Sequence, residues 1–263
     1  MVFKEGDLVI LVDPKGSYFL QRLTPGKRFH THKGYIDHDQ IIGAPAGTVV
    51  KSSLGREFLV FYPSTKDYTL NMPRKSGIIY PKDVAIILVW ADIFPGARVL
   101  CGGVGSGALL IAILRQVGPT GRVVAYDVRE DMLAWAEQNV KNFLGELSGL
   151  ELKLGDIYEP IPEKDFDRVL LDVPEPWRAL DTVEAALLPG GIFSAYVPSI
   201  VQVDQLIKAM EERESFALIE SLEVLVRHWQ VEGKSVRPYH RMVGHTGFLV
   251  FARKVVRSSE ENC

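Results

Sequence analysis

From about residue 80 onward, short apolar runs alternate with longer amphipathic stretches, and this alternation constrains the fold of the chain most strongly. The runs ARVLCG, GRVVAYD, LELKLGD and FDRVLLDVP are typical of buried strands, and the stretches that separate the first three have the apolar spacing of helices. A strand, a crossover helix and a second strand place both strands parallel in one sheet. The sequence therefore predicts an α/β fold built on a parallel, Rossmann-like sheet.

The C-terminal end of this region departs from the alternation. After the helix predicted over VQVDQLIKAMEER, strands over residues 217–227 and 246–254 follow one another without a helix between them. Two such strands are expected to pair as an antiparallel hairpin. A parallel sheet that ends in an antiparallel pair is typical of Rossmann-like methyltransferases, whereas plain dinucleotide-binding sheets usually lack it.

The N-terminal part of the chain has a different pattern. The runs LVILVD, YFLQRL, GTVVKSS and EFLVFYP are β-like and are separated by turn residues, which predicts a small β-barrel or β-meander. We expect this β domain over residues 1–70, the Rossmann-like domain over residues 71–255 and a polar tail over residues 256–263.

Charge is divided unevenly between the two parts. Residues 1–82 carry 12 Lys and Arg against 7 Asp and Glu, a net charge of +5, whereas the remainder carries −8. This asymmetry is compatible with a nucleic-acid-binding module, but it also fits an ordinary solvated face.

Composition excludes several classes of protein. No apolar run approaches the roughly eighteen residues that a membrane span needs, and the N-terminus does not resemble a signal peptide. Only two cysteines occur, Cys101 and Cys263, so a disulfide framework is not expected and a reducing cytoplasm is the natural setting.

A glycine-rich loop follows the first predicted strand of the parallel sheet. It contains Gly103, Val104, Gly105, Ser106 and Gly107, and it opens a helix whose free N–H groups can bind a ligand. The second strand ends at Asp127, followed by Val128, where a carboxylate can accept hydrogen bonds from ribose hydroxyls. Both NAD and S-adenosylmethionine need these features, so the loop and Asp127 predict adenosine binding without naming the cofactor.

Two further segments favour S-adenosylmethionine. Asp156 and Ile157 end the third strand, where methyltransferases place a carboxylate and an apolar side chain against adenine, although Asp156 also fits a turn or helix-cap role. The fourth strand ends in Asp172-Val-Pro-Glu-Pro-Trp177, which resembles the Asp/Asn-Pro-Pro-aromatic motif of amino- and ring-nitrogen methyltransferases. Ligands of open α/β sheets bind at the carboxyl ends of strands, where all four segments lie.

With these residues in place, the chain resembles the tRNA (adenine-N1)-methyltransferases that modify adenine 58 of the T-loop, in their archaeal and bacterial single-gene form. The resemblance covers nearly the whole chain. The motifs that carry it are residues 29–34, His38-Asp39, residues 79–83, residues 103–107, Asp127, residues 172–177 and residues 243–249. It implies S-adenosylmethionine as cofactor, tRNA as substrate, a cytoplasmic homotetramer and no membrane partner. Methylation of position 58 alone or of positions 57 and 58, and tetramer against dimer, remain open.

For the reaction we expect direct in-line attack by adenine N1 on the methyl group. Asp172 and Tyr80 are the expected catalytic residues, and Asp172 is also expected to contact the cofactor. Asp172 is expected to be ionised and to accept a hydrogen bond from the exocyclic amine while positive charge develops on the base. Tyr80, Trp177 and His240 are candidates to stack on the flipped base, although each also has an ordinary structural role open to it.

Basic residues are the expected phosphate contacts, and the N-terminal β domain, which carries several of them, is the expected tRNA contact. We expect them to be Lys27, Arg28, Lys33, Arg74, Lys75, Arg237 and Arg241. The histidines at positions 30, 32, 38, 240 and 245 could indicate a metal site, but neither cluster brings a cysteine or a Glu-x-x-His pair. A structural role or an RNA contact is therefore preferred, and no metal is expected.

One residue departs from the family pattern. Cys101 stands where the family usually has a glutamate that organises the glycine loop and the methionine part of the cofactor. Three outcomes are open: weaker cofactor binding, compensation by another group such as Asp83, or a tRNA-binding subunit without catalysis. The intact Asp172 motif favours catalysis. A protein or small-molecule methyltransferase is the other alternative, and a nicotinamide oxidoreductase would leave the Asp172 motif unused.

Overall fold

The computed structural model describes residues 1–146 and 149–257, which form two compact units. The first unit is Met1–Pro73, and the second begins at Arg74. The division at residues 70 and 71 stays a prediction. From residue 258 onward, the predicted polar tail, with Cys263, lies outside the described residues.

The first unit is a small β domain, as the sequence predicts. Its strands are β1 (Leu8–Val12), β2 (Tyr18–Arg22), β3 (Arg28–Thr31), β4 (Gly34–Asp37), β5 (Val49–Lys51) and β6 (Glu57–Phe61), and its α-helix is α1 (Thr65–Asn71). A single turn of 3₁₀ helix, His38–Gln40, follows β4. An antiparallel sheet has the order β2-β1-β6-β5, and β3 and β4 form a separate hairpin. Val9, Leu11, Phe58 and Val60 alternate along β1 and β6 and bury one face of the sheet in the domain core.

Helix α1 was not predicted, although its start is marked in the sequence. The hydroxyl of Ser64 accepts a hydrogen bond from the Asp67 backbone N–H at 3.1 Å, and the Asp67 carboxylate accepts one from the Ser64 N–H at 3.0 Å. This reciprocal capping box satisfies two N–H groups that the first turn would otherwise leave unpaired.

The second unit contains the Rossmann-like sheet and its helices. Its strands are β7 (Arg98–Gly102), β8 (Arg122–Asp127), β9 (Leu150–Leu154), β10 (Phe166–Leu171), β11 (Leu187–Val197), β12 (Phe216–Glu223), β13 (Trp229–Glu232), β14 (Ser235–Pro238) and β15 (Phe248–Lys254). Its α-helices are α2 (Pro81–Trp90), α3 (Ala108–Val117), α4 (Glu130–Leu144), α5 (Leu180–Ala186) and α6 (Ile200–Glu211). A single turn of 3₁₀ helix, Pro176–Ala179, precedes α5.

The predicted fold class is confirmed by the order of this sheet, which is β12-β15-β11-β10-β7-β8-β9. The five strands from β11 to β9 are parallel, and β15 runs antiparallel to both β11 and β12. The two last predicted strands therefore pair as expected. Their connection differs from a simple hairpin, because it carries an extra two-stranded ribbon, β13 and β14. The ribbon was not predicted, although Trp229, Val231 and Val236 alternate with polar residues on either side of the turn at Gly233.

The central strands explain where a ligand can bind. Strands β10, β7, β8 and β9 are neighbours, and their carboxyl ends open at one edge of the sheet. Every residue of β7 except Arg98 is buried, so this edge is supported by a packed core. No helix in the described part of the chain is both long enough and apolar enough to cross a membrane.

Candidate active site

The loop between β7 and α3 needs glycine for two separate reasons. Gly103, Gly105 and Gly107 have φ angles of +82°, +52° and +86°, a region that side chains strongly disfavour. In addition, a Cβ atom on Gly103 would overlap the backbone carbonyl oxygen of Asp172, at the end of the neighbouring strand β10. The loop and the backbone of Asp172 are therefore packed directly against each other.

Asp127, at the end of β8, organises the same loop. One carboxylate oxygen of Asp127 accepts hydrogen bonds from the backbone N–H groups of Val104 at 2.9 Å and Gly105 at 3.3 Å. The other oxygen accepts one from the N–H of Arg129 at 2.9 Å. Val128, the next residue, is an exposed apolar side chain at this edge of the sheet. The carboxylate thus lies beside the glycine loop, as an adenosine site requires.

Ser106 has a structural connection that the sequence did not reveal. Its buried hydroxyl lies 3.0 Å from that of Ser76, and it accepts a hydrogen bond from the Lys75 N–H at 3.3 Å. Its carbonyl oxygen accepts one from the side chain of Asn139 at 2.9 Å. Ser106 therefore ties the segment before α2 to the loop.

The end of β9 presents the next predicted pair. Asp156 is exposed, and its carboxylate accepts a hydrogen bond from the Tyr158 N–H at 2.9 Å, as an aspartate in a turn does. Ile157 is buried and lies against Gly102, where an added Cβ would come within 2.9 Å of it. Asp156 is thus accessible to a ligand, whereas Ile157 packs against Gly102 at the start of the glycine loop.

Asp172 combines accessibility with an unusual protonation equilibrium. Its N–H donates to the carbonyl of Gly102 at 2.8 Å, which holds its backbone in the sheet, while its side chain reaches solvent. Partial burial and, secondarily, the nearby Asp127 carboxylate raise the pKa of Asp172 to about 6. A carboxylate poised near neutral pH beside a cofactor-type loop is characteristic of a functional site.

Two residues that the sequence analysis missed hold the segment after Asp172 in place. The Tyr158 hydroxyl accepts a hydrogen bond from the Glu175 N–H at 3.0 Å, and the Gln202 side chain donates one to the Pro174 carbonyl at 2.8 Å. Trp177 is half-buried and packs against the core of the sheet. Only the tertiary fold brings Tyr158 and Gln202 to this segment, so no local signal identifies them.

Tyr80 is the N-cap residue of α2, and the first turn of this helix contains the Lys82–Asp83 ion pair. It is the exposed residue before α2, which begins at Pro81. Two residues further on, Lys82 donates to the Asp83 carboxylate at 2.8 Å, to the Val224 carbonyl at 2.7 Å and to the Thr246 hydroxyl at 2.6 Å. Two motifs that are distant in sequence, residues 79–83 and residues 243–249, are thereby joined.

This network bears on whether Asp83 could replace the glutamate that the family usually has at the position of Cys101. Asp83 is fully buried, and its second oxygen accepts a hydrogen bond from the Thr246 hydroxyl at 2.8 Å. Both carboxylate oxygens are therefore engaged, so the expectation that Asp83 could stand in for the usual glutamate is not supported by its contacts. Cys101 itself is buried in β7, and burial raises the pKa of its thiol to about 12, so it is a neutral core residue.

Tyr196 and His245 complete the surroundings of this network. The Tyr196 hydroxyl donates to the Thr246 carbonyl at 2.5 Å, and burial followed by the Asp83 charge raises its pKa to about 12. His245 places its two ring nitrogens 2.7 Å from a Glu223 carboxylate oxygen and 2.9 Å from the Pro198 carbonyl. These contacts raise the pKa of His245, because only the imidazolium donates to both acceptors.

The predicted substrate-binding residues lie in both units. In the first, Lys27 is exposed, while Arg28 pairs with Asp37 at 2.6 Å and stacks over the ring of Tyr35 at 4.3 Å. In the second, Arg237 and His240 are exposed and in contact with each other on the connection that carries the ribbon.

The other predicted basic residues and histidines are found as follows. Arg74 and Arg241 are exposed, and the ammonium group of Lys75 lies 5.2 Å from the centre of the Trp135 ring. His38 is buried and accepts a hydrogen bond from the Thr24 N–H at 3.0 Å, and burial lowers its pKa.

In residues 1–146 and 149–257, no group of three or more His, Cys, Asp or Glu side chains is arranged to hold a metal ion.

The fold and site define a Rossmann-like methyltransferase. The chain matches the family model described as "tRNA methyltransferase complex GCD14 subunit" over residues 58–237, and residues 2–50 match the one described as "TrmI-like N-terminal". The chain therefore belongs to the GCD14/TrmI family of tRNA methyltransferases.

Individual relatives agree with this assignment. The chain is 39% identical to a tRNA (adenine(58)-N(1))-methyltransferase TrmI of Thermus thermophilus, over 94% of this chain and 96% of that protein. It is 32% identical to the tRNA (adenine(57)-N(1)/adenine(58)-N(1))-methyltransferase TrmI of Methanocaldococcus jannaschii, over 93% of this chain and 94% of that protein.

Solved structures show the same architecture. A protein of Thermotoga maritima described as a SAM-dependent O-methyltransferase superposes with a TM-score of 0.92 at 37% identity, covering 98% of this chain and 97% of its own. The tRNA (m1A58) methyltransferase TrmI of Aquifex aeolicus superposes with a TM-score of 0.84 at 31% identity, covering 98% of this chain and 100% of its own.

The overlap at Gly103 leads to a stability prediction. Replacing Gly103 by Ala should lower the free energy of unfolding by about 3 kcal/mol or more, because positive φ and overlap with the Asp172 carbonyl both oppose a Cβ there. The control is Gly190→Ala, at φ +76° with no neighbouring atom within 4 Å, which should cost only about 1 kcal/mol. Urea unfolding of both variants measures the difference, and equal costs would contradict the close packing of loop and Asp172.

Proposed function

We propose that this protein transfers a methyl group from S-adenosylmethionine to N1 of adenine 58 in the T-loop of tRNA. The observation that carries the proposal is the packing of the glycine loop against the backbone of Asp172, which puts an accessible carboxylate directly beside the expected cofactor site. Membership of the GCD14/TrmI family supports tRNA as the substrate. We expect the protein to act in the cytoplasm.

The residues at the strand ends fit S-adenosylmethionine. The loop at Gly103–Gly107 has the bare backbone that a close-lying ligand needs, since a Cβ at Gly103 has no room. We infer that Asp127, which lies beside the loop, accepts hydrogen bonds from the ribose, and that the exposed Val128 and Asp156 contact the adenine ring and its amino group. When bound, the cofactor supplies an electrophilic methyl group on a sulfonium ion.

Asp172 then acts by orientation and charge. Adenine N1 attacks with a lone pair in the plane of the ring and loses no proton, so Asp172 has no proton to remove. Its carboxylate accepts a hydrogen bond from the exocyclic amine and stabilises the positive charge that develops on the base. Holding the reacting atoms about 3 Å apart contributes on the order of 7–11 kcal/mol to lowering the barrier.

Tyr80 is the candidate for holding the extruded base. It is exposed at the start of α2, where the Lys82–Asp83 ion pair fixes the first helical turn. Extrusion of a stacked base costs a few kcal/mol, which stacking on an aromatic ring offsets in part. Trp177, whose ring is partly committed to the core, and His240 are secondary candidates.

Three alternatives remain distinct from this proposal. A tRNA-binding subunit without catalysis is motivated by Cys101, and a protein or small-molecule methyltransferase by the fold alone. Methyl transfer to an oxygen atom is suggested by the similarity to the Thermotoga maritima protein, which is described as an O-methyltransferase. An oxygen acceptor would require a base to remove its proton, whereas the site proposed here uses Asp172 as a charge-stabilising acceptor.

The role of Asp172 is tested by a change that removes only its charge. In Asp172→Asn, kcat for methyl transfer from labelled S-adenosylmethionine to an unmodified tRNA transcript should fall by roughly a hundredfold or more. The control Asp204→Asn removes an exposed carboxylate that pairs with Lys208 on α6 and should retain the wild-type rate. Near-normal turnover in Asp172→Asn would remove this residue from the mechanism.

The raised pKa of Asp172 leads to a pH prediction. Since the ionised carboxylate is the active form, kcat/KM should be level above the Asp172 pKa of about 6 and fall about tenfold per pH unit below it. In Asp172→Asn the residual kcat/KM should no longer fall as the pH drops below 6. A wild-type rate that rises as the pH falls through 6 would show that the protonated acid is the active form.

The exposed ribbon supports a homo-oligomer. On one face, Trp229 pairs with Pro238 and Val231 with Val236, and Trp229, Val231 and Val236 are 57%, 69% and 62% exposed. The opposite face carries Gln230, Glu232 and Arg237. An isolated two-stranded ribbon is only marginally stable in water, so we propose that a second copy of this chain covers its apolar face. A tetramer remains the expectation drawn from the family resemblance.

A lysine introduced on the apolar or on the polar face of the ribbon tests which face contacts the second copy. Val231→Lys places a charge on the apolar face and should lower the mass in light scattering towards that of a smaller assembly. Gln230→Lys introduces the same side chain on the polar face of the same strand and should leave the mass unchanged. The proposal is wrong if the two variants have the same mass as the wild type, or if the wild type is a monomer.

A further inference from the structure

Three hairpin tips of the first unit meet at one end of its β structure. They are residues 13–17 between β1 and β2, residues 31–34 at the turn that joins β3 to β4, and residues 52–56 between β5 and β6. Asp13, whose side chain is fully buried, joins the first two tips: it accepts a hydrogen bond from the Lys15 N–H at 2.8 Å and pairs with the ammonium group of Lys33.

The second and third tips are joined just as closely. The buried hydroxyl of Ser52 donates to the Lys33 carbonyl at 2.6 Å and accepts a hydrogen bond from the Arg56 N–H at 3.2 Å. Gly34 has a φ of +98°, and an added Cβ would lie 2.7 Å from the Ser53 hydroxyl. The three tips therefore form a packed, preorganised surface.

A groove of about 440 Å³ lies between these tips. Such a volume falls in the range of roughly 300–1,000 Å³ that is typical of ligand sites. Each tip contributes at least one cationic side chain to it. The lining residues are Pro14, Lys15, His32, Lys33, Leu54 and Arg56.

The charges around the groove are not balanced. Asp13 pairs with Lys33, and this ion pair holds the pKa of Asp13 well below its usual range, so the two charges cancel. Lys15 and Arg56 are exposed and have no ion-pair partner within the described residues, in contrast to Arg28, which pairs with Asp37. Two uncompensated cations therefore flank a preformed groove and favour an anionic ligand.

We propose that this groove binds the phosphodiester backbone of the tRNA substrate, with Lys15 and Arg56 contacting phosphates. The inference rests on the proposed function, since that function supplies the RNA. Lys and Arg side chains are the usual phosphate contacts, and Leu54, which is 67% exposed, offers an apolar surface to a ribose or base. A protein partner would instead require a larger apolar centre than Leu54 and Pro14 provide.

The assignment differs from the basic residues that the sequence favoured. Arg28 is committed to Asp37 and Tyr35, and Lys33 to Asp13. Lys15 and Arg56 were not among the predicted phosphate contacts; they lie 41 positions apart, on different hairpins. Only the folding of the three tips brings them to one groove.

The test compares two double variants with the same loss of charge. Lys15→Gln/Arg56→Gln removes both groove cations, and Lys4→Gln/Lys66→Gln removes two exposed lysines of the same unit outside the groove. Binding to an unmodified tRNA transcript is measured over a range of salt concentrations, together with kcat and KM for methyl transfer. Thermal unfolding verifies that each variant is folded.

The groove variant should bind tRNA more weakly, with the slope of log affinity against log salt reduced in magnitude by roughly 1.4–1.8, that is 0.7–0.9 for each lost phosphate contact. Its KM should rise while kcat stays at the wild-type value, and the control should match the wild type in all three quantities. Equal slopes and affinities for the groove variant and the control would overturn the proposal and leave an acidic protein surface as the ligand to consider. Wild-type protein that binds tRNA but transfers no methyl group would refute the proposed function alone.

Discussion

The contact between the glycine loop and the backbone of Asp172 is the constraint on which the site depends. The end of β10 lies so close to the end of β7 that no side chain fits at Gly103, and the Asp172 N–H is hydrogen-bonded to the Gly102 carbonyl. The parallel sheet creates this proximity, since β7 and β10 are adjacent although 63 residues separate the end of β7 from the start of β10. The residues expected to hold a cofactor and the residue expected to orient its acceptor are thus parts of one rigid surface.

A second constraint organises the region around that surface. The buried Lys82–Asp83 pair joins the start of α2 to Val224 and Thr246, which stand at the two ends of the connection that carries the ribbon. Removing one partner of a buried pair leaves an uncompensated charge, so such pairs fix geometry even where they add little net stability. Tyr80, two residues before Lys82, and the ribbon therefore depend on the same interaction. The site at the strand ends and the surface proposed for self-association are connected through it.

The sequence was sufficient for features set by short-range patterns. The alternation of strands and helices, the positions of Gly103, Asp127 and Asp172, and the antiparallel pairing of the last strands follow from local periodicity and from residues that end strands. Contacts between distant segments were not accessible in this way. Lys82 and Thr246 are 164 positions apart, and Gln202 reaches Pro174 across 28. The helix α1 was a different kind of omission, because its Ser64 and Asp67 capping signal is readable in the sequence.

The central claim is that adenine N1 is the atom that accepts the methyl group. This claim needs a direct test, because related proteins are described both as adenine-N1 and as O-methyltransferases. The most direct test is to methylate an unmodified tRNA transcript with the wild-type protein and to identify the modified nucleoside and its position by nuclease digestion and mass spectrometry. We predict 1-methyladenosine at position 58, alone or together with position 57. A methyl group on a ribose hydroxyl or on another base, or none on a tRNA that is still bound, would contradict the account.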